Sequence, residues 1–318
     1  MQLKNTWMVG GLLLGCASLA CAQNFPNRPV RILASEAGGG GDFVARTIAQ
    51  GIPQGLGQPM VVDNRGGGVI AGELVAKAPP DGYTLLLYGN TLWLLPLMRD
   101  HVPYDAQKDF APVTLAGRAQ NVLVVHPSLP VRSVKDLIAM AKAKPGELNY
   151  ASAVAGAVNH LAAELFKSMA NVNIVRIPHK GTSSALNSVL GGQVHMMFAT
   201  ASSVIPHVKS GRLRGLGLTG AQPSPLFPDM PTIAAAGLPG FDSVSLHGIF
   251  APAGTPAAII QRLNKEIVAV LQRPETRERF ASAGVDVAAS TPEQLTATMK
   301  AEIDSMGKVI RNAGIRDQ

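Results

Sequence analysis

The chain has 318 residues, a formal net charge of +7 and 47% hydrophobic residues, a length that suits two domains of ordinary size. Aromatic residues make up only 5% of it, and its basic residues are dispersed among acidic ones. A nucleic-acid-binding surface needs a basic stripe and aromatic platforms, so composition argues against a nucleic-acid partner and is compatible with an anionic ligand.

The first 22 residues have the pattern of a secretory signal peptide. Lys4 supplies a positive charge, an apolar stretch runs from Trp7 to Ala20, and the small-x-small triplet Ala20-Cys21-Ala22 follows. The apolar stretch is too short to cross a bilayer as a helix. We expect cleavage after Ala22. A lipoprotein signal is the alternative, because Leu13-Leu14-Gly15-Cys16 resembles the box in which a cysteine becomes lipid-anchored.

Both cysteines of the sequence, Cys16 and Cys21, lie in this segment. After cleavage at Ala22 the mature chain would contain no cysteine. Neither a disulfide nor a cysteine-ligated metal site could then form.

Beyond the signal, short apolar runs alternate with helical patterns. In chain order the predicted strands are Val30–Leu33, Met60–Val62, Thr84–Tyr88, Asn121–Val125, Asn149–Ser152, Ile174–Ile177, Val194–Phe198 and Arg214–Thr219. Helices are predicted between them, and two more follow Thr255-Pro256 and Thr291-Pro292, where a hydroxyl cap precedes proline. Such alternation is typical of parallel sheets with helices on both faces.

Ligands of such sheets bind beyond the carboxyl ends of the strands, where helix N-termini present free N–H groups. Four loops of this kind are predicted, at Ser35–Asp42, Gly89–Thr91, Ser152–His160 and Pro178–Ser183. Small residues dominate three of them, and they let backbone amides approach an anion closely. Such a site needs neither a metal nor a catalytic side chain.

Each of these signals has a plainer alternative. The glycine run Gly38–Gly41 could be an ordinary flexible turn, and Asp42 could simply place a negative charge at a helix start. His160, His179 and Lys180 could be packed or exposed side chains without a ligand.

Motifs that would indicate an enzyme are missing from the sequence. Gly39-x-Gly41 is not followed by a third glycine at Val44, so a dinucleotide fingerprint is poorly matched. The sequence contains no His-Glu-x-x-His spacing for zinc and no Gly-x-Ser-x-Gly elbow for a serine nucleophile. We therefore expect no enzymatic activity, no cofactor and no metal site.

An ordered series of motifs resembles the Bug family of receptors for tripartite tricarboxylate transporters. The resemblance covers the chain from about Phe25 to Ile315. Its motifs are Asp63-Asn64-Arg65, Pro80-Asp81-Gly82-Tyr83-Thr84-Leu85, Lys108-Asp109-Phe110-Ala111-Pro112-Val113, Leu148-Asn149-Tyr150-Ala151-Ser152, His160-Leu161-Ala162, Leu190-Gly191-Gly192-Gln193-Val194 and Ala251-Pro252-Ala253-Gly254-Thr255-Pro256.

The resemblance implies a two-lobed α/β periplasmic binding protein of type II, with two parallel-sheet domains and a cleft between them. The chain would cross between the lobes near Leu123 and Leu218. Lobe 1 would then comprise residues 23–123 and 220–318, and lobe 2 residues 124–219. The ligand-binding residues that the resemblance implies are Ala37, Gly38, Gly39, Asp42, Asn90, Thr91, Ser152, Ala153, Gly156, His160, His179, Lys180, Gly181 and Thr182.

The chain departs from the family pattern inside these loops. Glu36 would bring a negative charge near an anion site. His179 replaces a frequent tyrosine, Ala199 replaces a frequent aspartate, and Leu246 and His247 stand where an aromatic residue is common. We expect an altered pocket within an unaltered fold.

The implied function is that of a monomeric periplasmic receptor that captures a small carboxylate and delivers it to membrane permease subunits. The same fold could instead present its ligand to a periplasmic sensor domain without transport. The sequence leaves both possibilities open.

Overall fold

A computed structural model describes residues 25–34, 37, 40–65, 69–153, 156–224 and 227–316. The predicted signal peptide lies outside these ranges, as do Glu36, Gly38, Gly39 and the Gly66–Gly68 loop. Within the described ranges, no helix combines the length and the apolar character that crossing a membrane requires.

The strands and helices alternate along the chain as predicted. The strands are β1 Val30–Ala34, β2 Met60–Asn64, β3 Thr84–Tyr88, β4 Phe110–Val125, β5 Asn149–Ser152, β6 Val175–Pro178, β7 Met196–Thr200, β8 Arg214–Leu218, β9 Val244–Pro252 and β10 Val285–Val287. The helices are α1 Gly40–Gly51, α2 Pro53–Leu56, α3 Ile70–Ala76, α4 Thr91–Leu94, α5 Val134–Ala143, α6 Val158–Ala170, α7 Thr182–Leu190, α8 Ala201–Lys209, α9 Ala257–Leu271, α10 Pro274–Ser282 and α11 Pro292–Asn312.

The strands form two lobes that share one long strand. The strand order is β2-β1-β3-β9-β4-β7-β5-β6, with β8 and β10 also paired to β4. The 16-residue strand β4 pairs with β9 from Phe110 to Gln120 and with β7 from Asn121 to Val125. This strand therefore carries the chain from the first lobe into the second.

Both sheets are mixed, which differs from the parallel sheets expected from the sequence. Strands joined through helices are parallel, as in β1 with β2 and β3, and in β5 with β6 and β7. The strands that connect the lobes are antiparallel to their neighbours, because β4 leaves the first sheet directly and β9 returns along it. The two-lobed α/β fold itself is confirmed.

The second connection between the lobes runs beside the first. Thr219 follows β8 and exchanges hydrogen bonds with Asn121 of β4, N–H to carbonyl at 2.9 Å and N–H to hydroxyl at 2.9 Å. Ser243, just before β9, donates to the Thr219 carbonyl at 2.9 Å. The lobe boundaries 23–123 with 220–318 and 124–219 stay a prediction that this arrangement supports.

Helices cover both faces of each sheet. In β1, the side chains of Val30 and Ile32 pack toward α1 and α9, whereas Leu33 packs on the opposite side toward α4 and α11. This two-residue period is the one that an extended strand buried on both faces requires.

Of the two helix caps predicted from hydroxyl-proline pairs, one is present and the other is not. The Thr291 hydroxyl accepts a hydrogen bond from the Gln294 N–H, and the Gln294 side-chain oxygen accepts one from the Thr291 N–H, which completes a capping box. The predicted cap at Thr255 is wrong, because its hydroxyl donates to the Pro252 carbonyl at 2.7 Å and Pro256 precedes α9.

Candidate ligand-binding cleft

A cavity of about 640 Å³ lies between the two lobes. Residues of both lobes and of the connecting strands line it. They are Ala37, Gly40, Ala119, Gln120, Gly181, Thr182, Ser183, Thr200, Ala201, Ser203, Ser245, His247, Ala283, Gly284 and Val285.

Three helices begin at the wall of this cavity. They are α1 at Gly40, α7 at Thr182 and α8 at Ala201, and each is the first helix after a strand. The first turn of a helix has free N–H groups and a partial positive charge. The cavity is therefore suited to an anion held by backbone donors. This agrees with the expectation that ligands bind beyond the carboxyl ends of the strands.

Hydroxyl groups supplement the backbone donors. Thr182 and Ser183 are exposed at the start of α7. At the start of α8, Thr200 donates to the Ser203 hydroxyl at 3.0 Å, and Ser203 donates to the Thr200 carbonyl at 2.8 Å. No Asp, Glu, Lys or Arg is among the described residues that line the cavity, so its affinity for an anion rests on dipoles and hydrogen bonds.

The connecting strands form the floor of the cavity. Gln120 of β4 donates from Nε2 to the Gln222 carbonyl at 3.0 Å, which fixes the orientation of its amide. His247 of β9 is 8% exposed, and burial lowers its pKa to about 4. Its imidazole is therefore neutral at pH 7.

Three of the predicted site residues line this cavity. Ala37 belongs to the first lobe, while Gly181 and Thr182 belong to the second. Lys180 is exposed next to Gly181 but is not part of the lining. The predicted Gly38 and Gly39 lie outside the described residues.

Asp42 instead makes contacts inside the first lobe. Its carboxylate accepts a hydrogen bond from Asn64 Nδ2 at 2.9 Å and lies 2.9 Å from Arg46 Nε. These contacts, in the first turn of α1, match the alternative in which Asp42 stabilises a helix start.

Asn90 and Thr91 stand at the start of α4 and do not line the cavity. The Asn90 amide bonds to β9, donating to the Val244 carbonyl at 3.1 Å and accepting from the Leu246 N–H at 2.8 Å. It also donates to Glu302 of α11. Asn90 therefore joins three elements of the first lobe behind the cleft.

The start of the predicted loop Ser152–His160 is hydrogen-bonded to an arginine of the neighbouring strand β6. Arg176 donates from Nε to the Ser152 hydroxyl and from Nη2 to the Ala153 carbonyl, both at 2.8 Å. The Gly156 N–H donates to His160 Nδ1 at 3.0 Å, and burial, with Arg176 nearby, lowers the pKa of His160 to about 4. None of the predicted residues in this loop lines the cavity.

His179 is half-buried, and its Nε2 lies 3.1 Å from the Ser188 hydroxyl. That contact joins β6 to α7 within the second lobe. It leaves the His179 side chain outside the lining of the cavity.

Several lining residues were missed by sequence reasoning. Thr200 ends β7, and Ala201 and Ser203 follow it. This strand was predicted two residues early, at Val194–Phe198, so the rule that ligands bind at strand ends could have found these residues. Gln120 and Ser245 lie inside long strands, where no loop signal marks them. His247 was noted only as a departure from the family pattern.

A second cavity of about 460 Å³ lies behind β9. Val244 and Leu246 face it, whereas Ser245 and His247 face the cleft. It contains the carboxyl group of Glu302, whose pKa is raised to about 7 by burial. The acidic residues Asp242 and Glu302 share this cavity with one arginine, Arg118, so the cleft is the better site for an anion.

Comparison with known proteins identifies the family. A sequence profile described as "Tripartite tricarboxylate transporter family receptor" matches residues 44–315. Protein BugT of Bordetella pertussis is 36% identical over 325 residues, which covers 99% of each chain. The chain belongs to this receptor family. The predicted membership among the Bug proteins is thus confirmed.

Two solved structures show the same fold with carboxylates bound. The R. palustris protein Rpa4515, described with adipate, is 35% identical with a TM-score of 0.81, and the match covers 92% of this chain and 99% of that one. MatC from Rhodopseudomonas palustris, described with bound malate, is 30% identical with a TM-score of 0.77, covering 90% and 100%. The chain is thus a solute-binding receptor by family.

Proposed function

We propose that this receptor captures a small carboxylate in the cleft between its lobes and delivers it to the permease subunits of a tripartite tricarboxylate-type system. The observation that carries the proposal is the convergence of α1, α7 and α8 on one cavity, where three sets of free N–H groups meet. The adipate and malate complexes of the related proteins support the ligand class.

The proposed setting is the periplasm, reached through the predicted signal peptide. We propose that the receptor acts as a monomer without a cofactor or enzymatic activity. Closing the two lobes over the ligand is the proposed motion, because a ligand that touches both lobes favours the closed state through its added contacts. Scattering by the monomer with and without saturating ligand would measure that compaction.

The ligand class is tested at the start of α7. Ser183 is exposed there and lines the cavity, so a substitution leaves the core intact. Ser183→Asp would add a carboxylate at a helix start, which the helix tolerates, and would repel a bound anion. At about 5 Å and an effective dielectric of about 20, the repulsion is about 3 kcal/mol before screening.

We therefore expect Ser183→Asp to weaken carboxylate binding at least tenfold. The matched control is Ser183→Asn, which has the same shape without the charge and should bind within about threefold of the parent. Thermal shift against mono- and dicarboxylates selects the ligand, and calorimetry then gives the affinities. Equal binding by the aspartate and asparagine variants would exclude a carboxylate at this end of the cleft.

A further inference from the structure

His247 is a buried histidine whose side chain has no hydrogen bond to any described residue. It is 8% exposed, its Nε2 is fully buried without a partner, and its ring forms no ion pair with the part of the chain that the structure describes. A neutral imidazole has one donor and one acceptor, and buried polar groups in folded proteins are usually bonded. Leaving such a group unbonded is costly, and a bound ligand would remove that cost.

The ring lies beside the N-terminus of α1. A Cβ atom added to Gly40, the first residue of α1, would stand 3.3 Å from Cε1 and 3.5 Å from Nε2 of His247. The same ring lines the cleft cavity together with Gly40. The N-terminus of α1 and the His247 ring therefore line the same cavity and lie next to each other.

We propose that His247 contacts the ligand directly and determines which acids the cleft accepts. One ring N–H donates to the carboxylate that occupies the N-terminus of α1. This inference rests on the proposed carboxylate cleft and names a side chain that the backbone donors do not include. Its role is specificity, because an N–H donor at this position favours an oxygen acceptor over an apolar group.

Burial is the only cause of the low pKa of this histidine. The charged side chains on the elements packed around it, Asp42 and Arg46 on α1, Arg118 on β4 and Asp286 on β10, do not shift it. A carboxylate arriving beside the ring would favour the imidazolium form. Binding should then draw a proton from the buffer onto His247, and affinity should rise as the pH falls from 7 to 5.

The test uses two variants of the full mature receptor. His247→Phe keeps a ring of similar size and loses both nitrogens. His247→Gln keeps a neutral donor but cannot take up a proton. The control is His207→Gln, because His207 lies in the last turn of α8, away from the cleft. Circular dichroism checks that each variant is folded.

Calorimetry is run with malate and adipate as probes, and with succinamide as a neutral probe, in two buffers of different ionisation enthalpy. We expect His247→Phe to lose at least tenfold in carboxylate affinity and all proton uptake. We expect His247→Gln to stay within about fivefold of the parent and to lose proton uptake. His207→Gln should match the parent in both.

The outcomes separate this inference from the proposed function. A folded His247→Phe variant that binds a carboxylate within twofold of the parent, with unchanged proton uptake, would overturn the role of His247 and leave the carboxylate function standing. Binding of only the neutral probe, lost in His247→Phe, would overturn the carboxylate function and retain the contact. A parent that binds none of the probes would overturn both.

Discussion

The stability of the unliganded protein should depend on pH through two buried histidines and one half-buried glutamate. His160 and His247 have their pKa lowered from 6.5 to about 4, mainly by burial. The unfolded chain therefore takes up these protons first, and each histidine removes stability as the pH falls from 6.5 to about 4. Glu302 acts oppositely, because burial raises its pKa from 4.5 to about 7 and its folded form takes up the proton first.

The expected changes in the free energy of unfolding follow from the pKa shifts. One pKa unit corresponds to about 1.4 kcal/mol, so each histidine removes up to about 2.7 kcal/mol between pH 6.5 and 4.5, and Glu302 restores about the same. The free energy of unfolding of the parent should fall by about 3 kcal/mol between pH 6.5 and 4.5. Over the same range it should fall by about 5 kcal/mol in Glu302→Gln, which lacks the opposing group. It should stay nearly constant in His247→Phe, where one histidine and Glu302 offset each other.

Urea unfolding followed by circular dichroism at pH 6.5, 5.5 and 4.5 measures these slopes. Comparing slopes, rather than stabilities at one pH, cancels the packing cost of each substitution and the titration of exposed carboxylates that the variants share. Parallel curves for the parent, Glu302→Gln and His247→Phe would refute the assignment of neutral histidines and a protonated Glu302 to the folded state.

Three further predictions concern single positions. Gln120→Leu should weaken binding of acids with a hydroxyl or amide donor more than of plain acids, by calorimetry, because the buried Gln120 Oε1 has no partner. Gly156→Ala should lower the free energy of unfolding by about 1 kcal/mol or more in urea titrations, since Gly156 has φ +75° and a Cβ would stand 2.8 Å from Met98 Cε. Thr291→Ala should cost about 1 kcal/mol in the same assay by removing the α11 cap, whereas an unchanged midpoint would show that the cap is not needed.

Strand and helix positions followed well from the sequence because each element has its own apolar period. β1 was placed within one residue, and the helix start at Thr291 was predicted together with its cap. Only Asn121–Val125 of β4 was predicted, and β9 and β10 were missed. Their pairing is set by partners more than a hundred residues away, and Gly117 within β4 gives no local strand signal.

The residues of the candidate site were also predicted only in part. The sequence rule that ligands bind at strand ends led to Gly181 and Thr182, because that rule depends only on where a strand stops. It led equally to Ser152, whose hydroxyl instead accepts from Arg176. Whether a strand end opens into the cleft or against another part of its own lobe depends on how the lobes pack, and no local pattern records that.

A site built from backbone donors has a consequence for how such receptors diverge. The N–H groups at the starts of α1, α7 and α8 remain after any substitution that preserves the helices. Related proteins with the same fold should therefore keep the capacity to hold a carboxylate. Discrimination among acids must then come from the few side chains that reach the cavity from the connecting strands. Here these include Gln120 and His247, both buried with an unpartnered polar atom. They lie about three residues apart along the β4–β9 register, roughly 10 Å, which is a span for one elongated small acid. We therefore expect family resemblance to give the class of ligand, and Gln120 and His247 to contribute to the choice among acids.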